Sequence, residues 1–94
     1  MEEREYLINL YEYYGKLLTE KQQKYFEDYY YDNLTMEEIS INDSVSKNAV
    51  SKQLLIIKDK LSYYEDILKL YYNSSNIRKI IKDNRIIDLI EEYI

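Results

Sequence analysis

Ser46, Lys47, Asn48, Ser51 and Lys52 fall within seven consecutive positions, with Lys58 further along. Placed on a helix that opens at Ser46, they make one chemical set. Asparagine bonds adenine with both of its side-chain groups, lysine reaches the acceptors of guanine, and serine tolerates several bases. A serine cap and the open N–H groups of a helix start suit a phosphate. Lys58, with Lys60 beside it, lies where a flanking phosphate backbone would pass. These residue types in this order have the chemistry of a DNA-reading helix. Ser46, Lys47, Asn48, Ser51, Lys52 and Lys58 are the expected contacts. The plainer reading is a solvated helix end, since lysine usually serves that purpose.

A short bracing helix must precede such a helix. Thr35 and Glu38 have the spacing of a capping box, and Leu34 ahead of the cap can pack on Ile39 as a hydrophobic staple. This helix should end near Ile41 or Asn42. Ser44 then sits at the turn, where glycine or asparagine would ease a left-handed conformation. Val45 and Val50 have the spacing of a second staple. Ile39, Val45, Val50 and Leu54 are the predicted core of the pair, with Ala49 as the small residue at the helix crossing.

The rest of the chain also reads as helix. Tyr6, Leu7, Leu10, Tyr11 and Tyr14 share a face of a first helix, from about Glu2 to a C-terminal glycine at Gly15. A second capping box, Thr19 with Gln22, starts a helix bearing Tyr25, Phe26, Tyr29 and Tyr30 and closed by Asp32-Asn33. These tyrosines are expected in the core rather than as base-stacking platforms. After Ser46 a seam of Val50, Leu54, Ile57, Leu61, Tyr64, Leu68 and Tyr71 repeats at steps of four and three. It predicts a long fourth helix. Asn73–Asn76, NSSN, reads as the linker to a fifth helix from about Ile77 towards Ile94. The expected architecture is all-α and a single helical domain over residues 1–94. The helix-turn-helix lies within 35–60 and a C-terminal helical extension within 61–94. So long a seam predicts either internal packing or a homodimer, the latter through Leu61, Tyr64, Leu68, Tyr71, Ile80 and Ile87.

Composition removes other functions. The 94 residues include no cysteine and no histidine, so the usual zinc sites and all Cys- or His-based catalysis are excluded. No cofactor is expected, and adjacent carboxylates such as Glu37 and Glu38 point in different directions on a helix, so no enzyme is expected either. With no signal-peptide pattern and no long apolar run, the chain is expected to be cytoplasmic and to have no membrane partner. A single glycine and no proline disfavour a β-rich fold. The net charge of −5 opposes DNA binding, but it is unevenly spread. Residues 1–45 carry four basic and eleven acidic side chains, net −7, whereas residues 46–60 carry four lysines against Asp59, net +3. Weak, salt-sensitive DNA binding follows, because the overall field opposes attraction while the local patch favours it.

The segment YEYYGKLLTEKQQKYFEDYYYDNLTMEEIS, continued through VSKNAV, resembles the YlxM family of small bacterial proteins. Leu17-Leu18-Thr19-Glu20-Lys21-Gln22 is similar to the family's LLTEKQ segment. Glu38, Ile39, Val45, Ser46, Ala49 and Val50 are similar to its helix-turn-helix. The resemblance implies a fold like region four of bacterial sigma factors and a regulatory, DNA-binding role. Through gene neighbourhood it also implies a link to the signal recognition particle pathway. The alternative role is therefore a protein or ribonucleoprotein interaction module of that pathway, using the acidic, tyrosine-rich N-terminal face. The sequence departs from the family pattern in three places. Lys47-Asn48 replaces arginine-glutamine. Asp43 stands where an apolar residue normally packs, so Asp43→Leu is expected to stabilise the chain or leave it unchanged. Ile41 replaces an acidic residue and is expected to supply the lost apolar contact.

Overall fold

A computed structural model describes residues 2–80. Among them are five α-helices and no strand: α1 Glu3–Tyr14, α2 Glu20–Phe26, α3 Met36–Asp43, α4 Lys47–Leu68 and α5 Leu70–Ile80. The chain is an all-α helix-turn-helix protein. α4 is the central element, and α1, α2 and α3 all pack on it. Its seam residues Val50, Leu54, Ile57 and Leu61 meet Leu7, Leu10 and Tyr14 of α1, Tyr25 and Phe26 of α2, and Ile39 of α3 in one buried cluster. Spacings of three and four put each set on one face of its helix, so burying that face holds the helices together.

α1 stops at Gly15 as expected, but not through a left-handed cap. Gly15 has φ −54°, ordinary right-handed backbone, so it is not a left-handed cap. The residue is small for another reason. The Tyr11 ring lies 2.9 Å from where a Cβ at this position would be. That ring is stacked on Phe26 at 4.1 Å and its hydroxyl donates to Glu27 Oε2 at 2.7 Å, so it has little room to withdraw. Both capping boxes form: the Thr19 and Thr35 hydroxyls accept from the backbone of Gln22 and Glu38, whose side chains accept in return.

After α2 the chain widens into a π-turn over Glu27–Tyr31 and closes at Asn33, which has φ 57°. Tyr30 stacks on Phe26 at 4.5 Å, and the Arg4 guanidinium lies over the Tyr30 ring and donates to the Tyr30 carbonyl and to Asn33 Oδ1. Tyr14 and Tyr25 are buried, and Tyr6, Tyr11, Tyr13, Tyr29, Tyr30, Tyr64 and Tyr71 pack partly against the core. The tyrosine faces are core, as expected.

The long fourth helix ends earlier than its seam predicts. Lys69 has φ 54°, a left-handed residue that stops α4 at Leu68, and α5 starts at Leu70. Asn73–Asn76 is therefore inside α5 and is not a linker. The break is stabilised by Glu65, buried to 6% exposure. Its Oε1 accepts from the Tyr14 hydroxyl at 2.6 Å and from the Tyr71 N–H at 3.2 Å, and its Oε2 accepts from the Tyr72 N–H at 3.0 Å. The Tyr14 hydroxyl in turn accepts from the Leu70 N–H at 3.0 Å. The opening N–H groups of a helix need partners; here α4 and α1 supply them to α5. The seam placed Tyr71 on the same helix as Tyr64, whereas Tyr71 belongs to the next one.

Candidate nucleic-acid interface

The α3–α4 turn is fixed by its backbone. Ser44 has φ 55°, the left-handed conformation expected there, and its N–H donates to the Ile41 carbonyl at 3.3 Å. The Val45 N–H donates to the Ser40 carbonyl at 3.0 Å. This pair of bonds is the Schellman arrangement that closes a helix and turns the chain sharply. Ile39 and Val50 are fully buried on either side of the turn, with Leu34 and Val45 partly buried against them. The two staples thus set how α4 leaves α3.

Ser46 caps α4, its Oγ accepting from the Ala49 N–H at 3.0 Å. The hydroxyl hydrogen is still a donor for a phosphate oxygen. Lys47, Asn48 and Lys52 are exposed and Ser51 is half-buried beside them. Five of the six expected contacts therefore lie on the first turns of α4. Lys58 does not join them. Its Nζ pairs with Glu3 Oε1 at 2.5 Å, and that carboxylate raises the lysine pKa above its usual value. Lys60 is also engaged, donating to Gln22 Oε1 at 3.2 Å. Eleven residues after Lys47, Lys58 points within about 20° of the same direction but about three turns further along the axis, where Glu3 of α1 meets it, whereas Lys60 is carried round to Gln22 of α2.

Three further expectations are corrected. Asp43 does not occupy an apolar site. Its Oδ2 accepts from the buried Tyr25 hydroxyl at 2.5 Å and pairs with Lys21 Nζ at 3.5 Å. The Tyr25 hydroxyl above all holds the Asp43 carboxyl below its ordinary pKa; burial opposes it, and Lys21 adds to the lowering. Asp43→Leu would leave the Tyr25 hydroxyl without its acceptor, so stabilisation is no longer expected. Ile41 is 71% exposed and replaces no lost contact. Ala49 is exposed and lines a cleft of about 440 Å³ between α2 and α4, opposite Thr19, Lys21 and Tyr25.

A family model described as "Putative helix-turn-helix protein, YlxM / p13 like" matches residues 1–93. The chain belongs to this YlxM/p13-like family. Curated relatives agree. A UPF0122 protein of Malacoplasma penetrans is 37% identical over 86 residues, covering 88% of this chain and 80% of the relative. One from Fusobacterium nucleatum is 38% identical over 87 residues, covering 93% and 80%. One from Clostridium acetobutylicum is 41% identical over 86 residues, covering 88% and 74%.

In this YlxM/p13-like chain, two residues near the first turns of α4 carry no signal singled out above. Leu55 is 59% exposed, one turn beyond Ser51 and on the same outward face as Asn48 and Lys52. The signal was present: within the run Leu54–Ile57 only Leu54 and Ile57 fit the seam, which leaves Leu55 facing out. Lys21 enters the sequence reading only as part of the LLTEKQ-like segment, with no role at the α3–α4 pair. Nothing in a linear sequence brings it to the cleft that Lys52 borders.

Proposed function

We propose that this chain is a DNA-binding regulator that inserts the first turns of α4 into the major groove. One observation carries the reading. Lys47, Asn48 and Lys52 are exposed together on the turns after the cap and have no protein partner among the described residues, whereas Lys21, Lys58 and Lys60 are each engaged. In this reading Asn48 and Lys52 meet base edges, Lys47 and the Ser46 hydroxyl hold a phosphate, and Leu55 is placed for a thymine methyl. The binding is weak because few cations are free to neutralise phosphates, and its salt slope is shallow for the same reason.

The test is a fluorescence-anisotropy titration on a pool of duplexes, with Lys47→Ala plus Lys52→Ala as the variant. Both side chains are exposed, so the fold should be unaffected. Affinity should fall below detection, and any residual binding should show a salt slope shallower by about one unit per lost phosphate contact. Unchanged affinity in the double variant would remove α4 from the mechanism.

The interaction-module alternative has less support. Most of the tyrosines that would form its surface are turned into the core. A partner in the signal recognition particle pathway stays an implication of the resemblance alone. The proposal includes a homodimer on a corrected face. Leu61 is fully buried inside the single chain and Tyr64 and Tyr71 pack partly against its core, so they cannot form the centre of an interface. Ile87 and the Ile80 side chain lie outside the described residues. Leu68 is 47% exposed and adjoins Ile67 at 59%, with Tyr63 at 61% one turn back. A second copy covering these would place two reading turns on paired half-sites. Sedimentation of the wild type as a monomer at tens of micromolar would eliminate it; a dimer lost in Leu68→Glu supports it.

A further inference from the structure

The cleft between α2 and the start of α4 has a lysine on each wall. Lys52 borders it from α4 and Lys21 from α2, with Thr19, Tyr25, Ala49 and Gln53 between them. The cleft opens beside the reading turns, since Ala49 and Lys52 belong to both. The two lysines are not equivalent. Lys52 has no partner among the described residues. Lys21 is paired with Asp43, its Nζ lies 5.8 Å from the centre of the Tyr25 ring, and Tyr25 donates its hydroxyl to the same Asp43 oxygen. Asp43 is the last residue of α3, so the network ties α2 to the end of the bracing helix.

We infer that the cleft is a second phosphate seat and that Asp43 limits it by withholding Lys21 from the DNA backbone. The inference rests on the DNA-binding reading above and concerns a different part of the surface. A phosphate following the strand that flanks the reading turns would enter past Lys52, which borders one wall while its amine turns to a base edge. On the other wall it would meet a lysine already neutralised by a carboxylate. Displacing that carboxylate costs the Asp43–Lys21 pair and brings a negative charge near the phosphate. The contact is therefore largely lost to the wild type. Asp43 is held by the Tyr25 hydroxyl and cannot simply swing away.

Asp43→Asn separates the two functions of the residue. An asparagine oxygen still accepts the Tyr25 hydroxyl, so the α2–α3 tie is kept, while the charge that holds Lys21 is gone. The experiment measures anisotropy of a labelled duplex with wild type, Asp43→Asn, and Asp43→Asn with Lys21→Ala, each at several salt concentrations. Asp43→Asn should bind more tightly, and its plot of log affinity against log salt should be steeper by about 0.9, one extra phosphate. Over a fourfold rise in salt that slope amounts to about a 3.5-fold larger loss of affinity than the wild type suffers. Adding Lys21→Ala should return both affinity and slope to wild-type values. Two results would overturn the inference. One is an unchanged slope in Asp43→Asn. The other is a gain that survives Lys21→Ala, which would mean that only the overall charge had changed. Glu12→Gln, removing one acidic charge from α1, calibrates that overall effect. The Lys47→Ala plus Lys52→Ala variant decides the parent reading separately. If it and the wild type bind alike while Asp43→Asn still gains through Lys21, the seat exists without a reading helix. If wild type and every variant fail to bind at low salt, both ideas fall.

Discussion

Glu65→Ala should be among the most damaging single substitutions outside the apolar core. The carboxylate is buried and accepts three hydrogen bonds, from the Tyr14 hydroxyl and from the Tyr71 and Tyr72 N–H groups. Truncation leaves the Tyr14 hydroxyl as a buried donor, at 1% exposure, with no acceptor. A lost hydrogen bond to a charged group costs about 1.5–3 kcal/mol when its partner stays buried. The two N–H groups lie at the start of α5, where water can replace the carboxylate, so a lost cap of about 1 kcal/mol is the better figure for them together. The sum is roughly 3 kcal/mol. For a chain of this length each kcal/mol lowers the melting temperature by about 4–8 °C, so the expected fall is about 12–24 °C. Glu65→Gln keeps one acceptor but turns an amide towards an N–H, and should lie between the two. The assay is thermal unfolding followed by circular dichroism at one protein concentration. A fall of less than about 4 °C for Glu65→Ala would mean that the network adds under 1 kcal/mol, and the account of the α4–α5 break would fail.

Lys69→Gly tests the same break by sign. At a left-handed position glycine relieves about 1 kcal/mol of backbone strain and the melting temperature should rise, whereas within an uninterrupted helix it would cost about 1 kcal/mol and the temperature would fall. Gly15→Ala should destabilise by roughly 1–3 kcal/mol in chemical denaturation, since the new methyl group would press on a Tyr11 ring pinned by Phe26 and Glu27; an unchanged midpoint would show that the ring gives way. Alkaline pH should unfold the chain. Burial, reinforced by hydrogen bonds to Glu65 and Asp43, pushes Tyr14 and Tyr25 from an ordinary value of 10.0 up to about 12. Both values are raised, so the folded state favours the neutral phenol. Stability is full below pH 10 and lost as pH rises towards 12; tyrosinate absorbance from all tyrosines rising together near pH 10, with the fold intact, would refute this.

What could be read from the sequence was what depends on near neighbours. Thr19 with Gln22 and Thr35 with Glu38 satisfy each other across three residues, and both boxes form. Val50, Leu54, Ile57 and Leu61 face the core because helical period alone selects a face. The exposure of Lys47, Asn48 and Lys52 was legible for the same reason. Lys58 was not, because its partner Glu3 is more than fifty positions away, and a lysine pattern cannot tell a free cation from an engaged one. The α4–α5 break was hidden for a related reason. Leu68 and Tyr71 continue the seam in register, and the residues that stop the helix are a lysine and a glutamate with good helix propensity. What makes Glu65 a cap is Tyr14, fifty-one residues earlier. Asp43 looked like a misplaced charge in a helix crossing until Tyr25 and Lys21 supplied its partners.

The same distinction bears on the charge of the molecule. An acidic chain with a basic turn need not be a failed DNA binder; what matters is which cations are left over once the fold has used the others. Glu3 holds Lys58, Gln22 holds Lys60 and Asp43 holds Lys21, so three of the lysines that surround the reading turns are committed within the protein. Lys47 and Lys52 are left, and both flank Asn48. Few phosphate contacts mean little non-specific affinity and a shallow salt slope, while the surrounding negative field discourages sliding capture of arbitrary DNA. In the proposed reading, discrimination then falls to short-range contacts at base edges, the role proposed for Asn48, Lys52 and Leu55. A strongly basic reader gains affinity everywhere and must earn selectivity against that background. In the proposed reading binding starts weak and far from saturation, so one matched base contact shows as a proportionate gain in occupancy. Asp43 belongs to the same logic. If the inferred seat holds, keeping Lys21 from the backbone lowers the sequence-independent part of binding and leaves the base contacts of α4 in place.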